Sequence, residues 1–337
     1  MSTRSDQNDP IRRKAGYLYT FAAYVLWGLL PLYWKQLVHV SSMEVMAYRI
    51  LGSFIFLIML LTLLRQSQYK DYLRDSRKRS GIFLAGILIA VNWFVFIFAV
   101  NSGYIVQASF GYYINPLVSI AFGVLFLKER MTRLQTAAIV MVVATVVYLG
   151  VGIGQFPFIS LTLALSFGGY GLIKKKMHLD SLHGLLLETI VLVPFMLFYL
   201  GSTVVRNTNH LLTDSWISKG FMLLAGFVTV VPLFLFAEGA KRIPLSSVGI
   251  LQYIAPTMML FIGVVVYHEA FTTTHAVSLG ILWIAIVLYM VSLFRRTTAV
   301  PVVPAKVGTF PEPGSFPVGS GNLPDPAVVS SNVGDLS

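Results

Sequence analysis

The chain has 337 residues, of which 56% are hydrophobic and 12% are charged, and it carries a formal net charge of +11 and no cysteine. In soluble domains roughly a quarter of the residues are charged. One water-soluble core cannot bury so much apolar surface, so the composition excludes an ordinary soluble protein. The lack of cysteine also excludes disulfides, thiolate catalysis and cysteine-bound metal.

Ten apolar runs follow one another along the chain, each close to the ~20 residues that cross the hydrocarbon core of a bilayer. In chain order they cover Tyr17–Leu37, Val45–Leu64, Gly81–Val100, Ile105–Leu127, Leu134–Gly150, Phe156–Ile173, Gly184–Leu200, Phe221–Ala240, Ser247–Tyr267 and His275–Phe294. These runs predict an all-α, polytopic membrane protein with ten transmembrane helices.

Lysine and arginine predict the orientation of these helices. All but four of the 25 basic residues lie before the first run, after the last run, or in the loops that follow the even-numbered runs; the exceptions are Lys35, Arg49, Arg206 and Lys219. Cytoplasmic loops carry the excess of positive charge, so we expect a multi-pass protein of the cytoplasmic (inner) membrane with both termini inside. No zinc spacing or aromatic-interleaved basic patch accompanies this charge, and no nucleic-acid partner is expected.

The two ends of the chain differ from the apolar runs. Residues 1–16 are predicted to form a cytoplasmic N-terminus. Residues 297–337 contain seven prolines and many Gly, Ser and Val residues. Such a segment cannot bury enough apolar surface to fold alone, and it is predicted to be a disordered cytoplasmic tail.

An internal duplication emerges when the chain is compared with itself at an offset of 140 residues. Over Tyr113–Thr132 and Tyr253–Thr272, seven of twenty pairs are identical, including Pro116/Pro256 and Glu129/Glu269, whereas chance would give roughly two. The chain therefore reads as two five-helix repeats, residues 17–150 and 156–294. Five is odd, so the second copy enters the membrane from the opposite side, as in many secondary transporters.

Several segments carry a resemblance to a known family. The segment Ala108–Arg130, ASFGYYINPLVSIAFGVLFLKER, resembles the helix-4 signature of the EamA-type branch of the drug/metabolite transporter superfamily. Further motifs are YVLWGLLPLYW at Tyr24–Trp34, NWFVFIFAVN at Asn92–Asn101, LLETIVLVP at Leu186–Pro194 and QYIAP at Gln252–Pro256. Together they are similar to the RarD family. The resemblance implies ten helices, two inverted repeats and a central cavity that opens alternately to either side.

This reading predicts a secondary transporter, with export of a small metabolite or drug by alternating access as the expected activity. Small-molecule substrate and membrane lipid are the expected partners, and a homodimer is left open. The alternatives are a polytopic membrane enzyme and a non-transporting membrane sensor. The six histidines show no shared metal spacing and no glycine-rich phosphate loop is present, so no enzyme activity, metal or cofactor is expected.

Two charged residues inside apolar runs are the leading site candidates. Ionisable residues at membrane depth are costly and usually face an interior cavity. Arg49, about one turn inside the second run, is either an anion clamp in the substrate pathway or a side chain that snorkels to the outer interface. Glu188, about one turn inside the seventh run, is either a proton-coupling carboxylate or a fixed structural partner.

Polar and helix-breaking residues complete the predicted site. The substrate pathway is expected to include amide, phenol and indole side chains near the third, fourth and ninth runs: Asn92, Trp93, Asn101, Gln107, Tyr113, Asn115, Gln252 and Tyr253. The alternative is that these groups only hydrogen-bond between helices. Pro116 and Pro256 are expected to break their helices. Glu129 and Glu269 are expected either to have a gating or stabilising ion-pair role or to be solvated helix ends, and Ala270 replaces the arginine of the first copy.

Overall fold

The structure is a computed structural model that describes residues 10–66, 76–128, 132–154, 156–177 and 181–298. Its long helices are α1 (Pro10–Trp34), α2 (Ser42–Leu63), α3 (Ser76–Asn101), α4 (Ile105–Leu127), α5 (Arg133–Ile153), α6 (Phe158–Met177), α7 (Ser181–Val205), α8 (Trp216–Ala240), α9a (Leu245–Leu251), α9b (Ile254–Phe261) and α10 (Thr273–Thr298). A π-helical turn, Ile262–Val266, continues α9b, and single helical turns lie at Lys35–Leu37 and His210–Thr213. Within these ranges there is no strand.

The helices confirm the predicted all-α, polytopic class. Nine stretches of the described chain are long and apolar enough to cross a membrane, and α6 supplies a shorter apolar helix, Phe158–Lys174, at the place of the sixth run. Each predicted run therefore corresponds to a helix. The bounds of α4 are those expected from the sequence, whereas α1 begins at Pro10, seven positions before the apolar run. The expected N-terminal segment 1–16 thus ends inside a helix, because helical hydrogen bonding begins before the first residue of the apolar run.

Short connections make consecutive helices antiparallel, so the bundle has two ends. We call the end where α1 begins the basic end, because it includes Lys128, Lys241 and Arg242. The opposite end contains the turns after α1 and α7.

The packing of the helices repeats between the two halves. Helix α1 packs against α8, α9a and α9b, while α6 packs against α3 and α4. The offset of 140 residues relates α1 to α6, α3 to α8 and α4 to the α9 pieces, so the same contacts occur twice. Helices α5 and α10, which the offset also relates, pack against each other. The architecture is therefore one of two five-helix repeats.

A backbone contact between α2 and α8 fixes the position of α2. A Cβ atom on Gly226 would lie 2.0 Å from the carbonyl carbon of Gly52 and 2.3 Å from the amide nitrogen of Ser53. Only glycine permits helices to approach this closely. Since Gly52 lies three residues after Arg49, this contact also sets where Arg49 stands in the bundle.

The paired prolines have different surroundings. Helix α4 runs continuously through Pro116, so the break expected there is not present. In the second copy the helix is interrupted at Gln252 and Tyr253, before Pro256, and α9b then widens into the π-helical turn. Membrane helices tolerate proline where neighbouring helices cover the freed carbonyl, and Pro116 is buried.

Candidate functional site

Arg49 lies in the interior of the bundle, between two tryptophans. Arg49 lies seven residues after the start of α2, which is about 10 Å along the helix at a rise of 1.5 Å per residue. This position is deeper than the one turn that the sequence suggested. The residue is only 4% exposed. Its guanidinium carbon lies 4.0 Å from the ring centre of Trp93 on α3 and 5.2 Å from that of Trp34 on α1. A side chain that snorkelled to the interface would instead expose its charged end.

Hydrogen-bond donors around Arg49 have no acceptor. The guanidinium Nε and Nη1 are buried without a hydrogen-bond partner, and so is the indole Nε1 of Trp34. Among the described residues no carboxylate lies within ion-pair distance of Arg49. Burying an uncompensated charge is expensive, although the faces of two tryptophan rings offset part of the cost through cation–π attraction. The arrangement is a positively charged group of hydrogen-bond donors, which matches the chemistry of an anion that carries acceptor oxygens.

Glu188, in contrast, has partners. It is fully buried on α7, its Oε1 lies 3.3 Å from Nζ of Lys174 on α6, and its Oε2 accepts a hydrogen bond of 3.0 Å from the hydroxyl of Tyr170. Lys174 also donates to that hydroxyl at 2.8 Å. Lys174, which the sequence suggested as an orientation signal, therefore forms a partly buried ion pair between two helices of the second repeat, α6 and α7. This geometry agrees with the alternative in which Glu188 is a fixed structural partner.

The remaining predicted pathway residues lie in several places. Asn92 donates to the carbonyl of Leu163 at 3.0 Å and to the hydroxyl of Ser166 at 3.1 Å, which joins α3 to α6. Gln252 donates at 3.0 Å to the carbonyl of Gly249 in the preceding turn. Both therefore make the helix–helix or local bonds that were the alternative to substrate binding.

Tyr113 and Tyr253, which the sequence offset pairs, contact each other. Their rings stack with centres 6.2 Å apart. The hydroxyl of Tyr113 lies 2.8 Å from that of Thr257, whereas the buried hydroxyl of Tyr253 has no partner. The two tyrosines thus connect α4 to the interruption between α9a and α9b, and they belong to a different packing cluster from Trp34 and Trp93.

Three amide residues lie elsewhere. The side-chain amide of Asn101, at the end of α3, is buried without a partner, as is Oδ1 of Asn115 on α4. Gln107 lines a groove at the opposite end beside Phe98 and Tyr104, and its carbonyl accepts a hydrogen bond of 2.6 Å from the hydroxyl of Ser160. The structure therefore does not gather the eight pathway residues into one pocket, and Trp93 is the member whose ring lies over the Arg49 guanidinium.

Glu269 caps a helix of the other repeat. Its two carboxylate oxygens each accept a hydrogen bond of 2.8 Å, one from the backbone N–H of Ile105 and one from that of Val106. A carboxylate there satisfies two orphan donors and complements the helix dipole of α4. Its role is thus more specific than that of a solvated helix end. Glu129, its counterpart by sequence, lies outside the described residues.

Comparisons with known proteins identify the family of the chain. Residues 14–151 and 157–291 match the EamA-like transporter family. The chain belongs to this family. Its two matched segments span nearly the same residues as the two repeats read from the 140-residue offset.

Relatives within the EamA-like family include proteins named as transporters. The chain is 46% identical to the uncharacterized transporter YojE of Bacillus subtilis over 284 residues, which are 83% of this chain and 94% of YojE. It is 35% identical to protein RarD of Escherichia coli over 294 residues, 86% of this chain and 99% of RarD. The resemblance to the RarD family is thus confirmed. A solved crystal structure shares the fold, with a TM-score of 0.54 at 17% identity, covering 85% of this chain and 98% of that one.

One cluster of this EamA-like protein was missed by sequence reasoning. At the opposite end, the buried Glu44 accepts hydrogen bonds from the backbone N–H of His210 at 2.8 Å and from its ring Nδ1 at 2.7 Å. Beside this pair, His39 Nε2 lies 2.8 Å from Asp214 Oδ2. These contacts tie the start of α2 to the turn after α7. The only sequence signal was the acidic residue in the first turn of α2, which is common at any helix start.

Proposed function

We propose that this chain is a secondary transporter that exports a small metabolite or drug across the cytoplasmic membrane by alternating access. The family and the names of its relatives support membrane transport. The duplicated five-helix architecture supports alternating access, since symmetry-related halves can expose one central site to each side in turn.

The observation that carries the proposal is the buried, unneutralised Arg49. A scaffold or packing role does not require a cation with unpaired N–H groups at this depth, and such a group destabilises the fold. Ionisable residues retained inside membrane bundles usually serve a transport pathway. Arg49 therefore marks the substrate site of the proposed transporter, with Trp34 and Trp93 as its walls.

Access to Arg49 requires the helices to move. Its Nε and Nη1 are buried in this conformation, so a substrate cannot reach them without rearrangement. On the side of the opposite end, Tyr48, the neighbour of Arg49, donates a hydrogen bond of 2.9 Å to Asn209, and Glu44 holds His210. Opening the bundle there breaks these contacts between α2 and the turn after α7.

The proposed orientation places the basic end in the cytoplasm. This end has Lys128, Lys241 and Arg242, in agreement with the excess of positive charge in cytoplasmic loops. Both termini are then inside, and the contacts of Glu44 with His210 close the outer face of the transporter.

The experiment compares metabolites inside and outside cells of a deletion strain, the same strain expressing the protein, and strains expressing Arg49→Ala or Arg206→Ala. Arg206 is exposed after α7 and gives a matched loss of one arginine away from the site. A compound retained by the deletion strain should leave on re-expression and with Arg206→Ala, but not with Arg49→Ala. If no compound changes across a broad panel, or if Arg49→Ala inserts normally and exports normally, the proposal fails.

A further inference from the structure

We infer that the Arg49 site takes an organic monoanion, a compound with one carboxylate and no cationic group. This inference rests on the proposed function only for the statement that the bound compound is transported. The binding site itself is argued from the contacts of Arg49, Trp34 and Trp93.

The buried polar atoms of Arg49 and Trp34 that lack a partner are all hydrogen-bond donors. Arg49 contributes the buried N–H groups of Nε and Nη1, and Trp34 contributes its buried indole N–H, all without an acceptor. Neither a guanidinium nor an indole N–H can accept a hydrogen bond. A ligand that satisfies them must bring acceptors, and a carboxylate offers two oxygens that suit the planar guanidinium.

The charge of the site limits the ligand to one negative charge. Among the described residues Arg49 is the only buried lysine or arginine, it has no carboxylate within ion-pair distance, and in a low-dielectric interior one cation compensates one anion. A phosphate monoester carries about −1.5 to −2 charges at pH 7, which would leave excess negative charge buried. A monocarboxylate makes the site neutral.

A ligand ammonium group finds no carboxylate here. In the part of the chain that the structure describes, the buried carboxylates are Glu44 and Glu188. Glu44 already binds His210 through both oxygens, and Glu188 already pairs with Lys174. An amino acid, which has an ammonium group beside its carboxylate, would therefore bury an unpaired positive charge next to Arg49. The site thus favours a carboxylic acid over the corresponding amino acid.

Aromatic side chains surround the charged group. Trp34 and Trp93 lie against Arg49, and Tyr33 packs edge-on against Trp34 with ring centres 4.9 Å apart. Tyr112 belongs to the same packing cluster and packs edge-on against Phe96, with centres 5.6 Å apart. These rings suit the apolar body of an organic acid and exclude the water that would otherwise solvate the anion.

The test measures binding of three matched probes by calorimetry, with the purified full-length protein in lipid nanodiscs. The probes are 3-phenylpropanoate, its neutral amide 3-phenylpropanamide, and L-phenylalanine, which adds an ammonium group to the first. The wild type and Arg206→Ala should bind the propanoate about tenfold or more tightly than the other two, since a hydrogen bond to a charged group supplies about 1.5–3 kcal/mol. Arg49→Ala should lose this preference.

Equal affinities for the three probes, tighter binding of the amide or the amino acid, or no binding of the propanoate would overturn the inference. The same holds if Arg49→Ala keeps the preference. This measurement does not depend on transport, so a negative result contradicts the monoanion site without contradicting the proposed transport function. Export of a neutral or cationic compound that requires Arg49 would support the transporter and overturn the monoanion.

Discussion

At the scale of single residues, the site depends on the contrast between Arg49 and the other buried charges. Glu188 and Glu44 each have a partner of opposite charge or a donor on another helix, so they stabilise one arrangement of the bundle. Arg49 instead lies against the ring faces of Trp34 and Trp93, and no carboxylate of the described residues is within ion-pair distance of it. A cation whose N–H groups lack acceptors keeps free energy available for a ligand that supplies them.

Sequence reasoning found part of this site. Arg49 stood out because an arginine inside an apolar run is rare in membranes. Trp34 did not, since a tryptophan at the end of an apolar run is normally an interface anchor, and only the fold shows that its ring lies against Arg49 and that its indole N–H is buried without an acceptor. The pairing of Glu188 with Lys174 was equally hidden, because it depends on how α6 packs near α7.

Substitution of Trp34 by phenylalanine tests the contribution of the indole N–H. Trp34→Phe keeps an aromatic ring beside Arg49 but removes the donor. The affinity for 3-phenylpropanoate should fall about threefold to tenfold, since a hydrogen bond to a charged group is lost while the charge remains. Calorimetry measures this change, and Trp27→Phe on the same helix is the control. An affinity equal to that of the wild type would show that the indole N–H does not bind the carboxylate.

At the scale of elements, α2 positions Arg49, and α8 positions α2. The crossing of the two helices at Gly52 and Gly226 is a direct backbone contact. The sequence contains 27 glycines, and nothing in their spacing distinguishes these two, because the contact joins helices that are distant in the chain. The element bounds were more accessible, since they follow from the local length and apolarity of each run.

The close crossing predicts a large effect of one methyl group. Gly226→Ala places a Cβ atom within 2.0 Å of the Gly52 backbone, and backbone cannot yield as a flexible side chain would. The substitution should lower the unfolding free energy by about 1–3 kcal/mol, the usual cost of overpacking, and weaken 3-phenylpropanoate binding by displacing α2. Denaturant unfolding in detergent and calorimetry measure both effects.

Gly220→Ala is the matched control for this prediction. Gly220 lies in the same helix, α8, and a Cβ atom there would meet nothing within 4 Å. Alanine at an open helical position is neutral or stabilising by up to about 1 kcal/mol. Equal stability losses for Gly226→Ala and Gly220→Ala would contradict the close crossing of α2 and α8.

At the scale of the whole molecule, the two repeats explain why the architecture was readable from the sequence. The offset of 140 residues relates α1 to α6 and α8 to α3, so the packing of α1 on α8 is repeated as the packing of α6 on α3. The duplication and the apolar runs are properties of the chain itself. The degree to which the bundle is open in one conformation cannot be read from the sequence, because it depends on long-range contacts such as that of Glu44 with His210.

The orientation of the whole molecule gives the last prediction. The natural chain has no cysteine, so a single introduced thiol reports its own side of the membrane without background. Lys241→Cys lies in the exposed turn after α8 at the basic end, and Thr208→Cys lies in the exposed turn after α7 at the opposite end. In intact cells an impermeant maleimide should label Thr208→Cys, and it should label Lys241→Cys only after lysis, because the excess of lysine and arginine keeps the basic end in the cytoplasm. Labelling of Lys241→Cys from outside, with Thr208→Cys protected, would reverse the orientation and would place the contacts of Glu44 with His210 on the inner face.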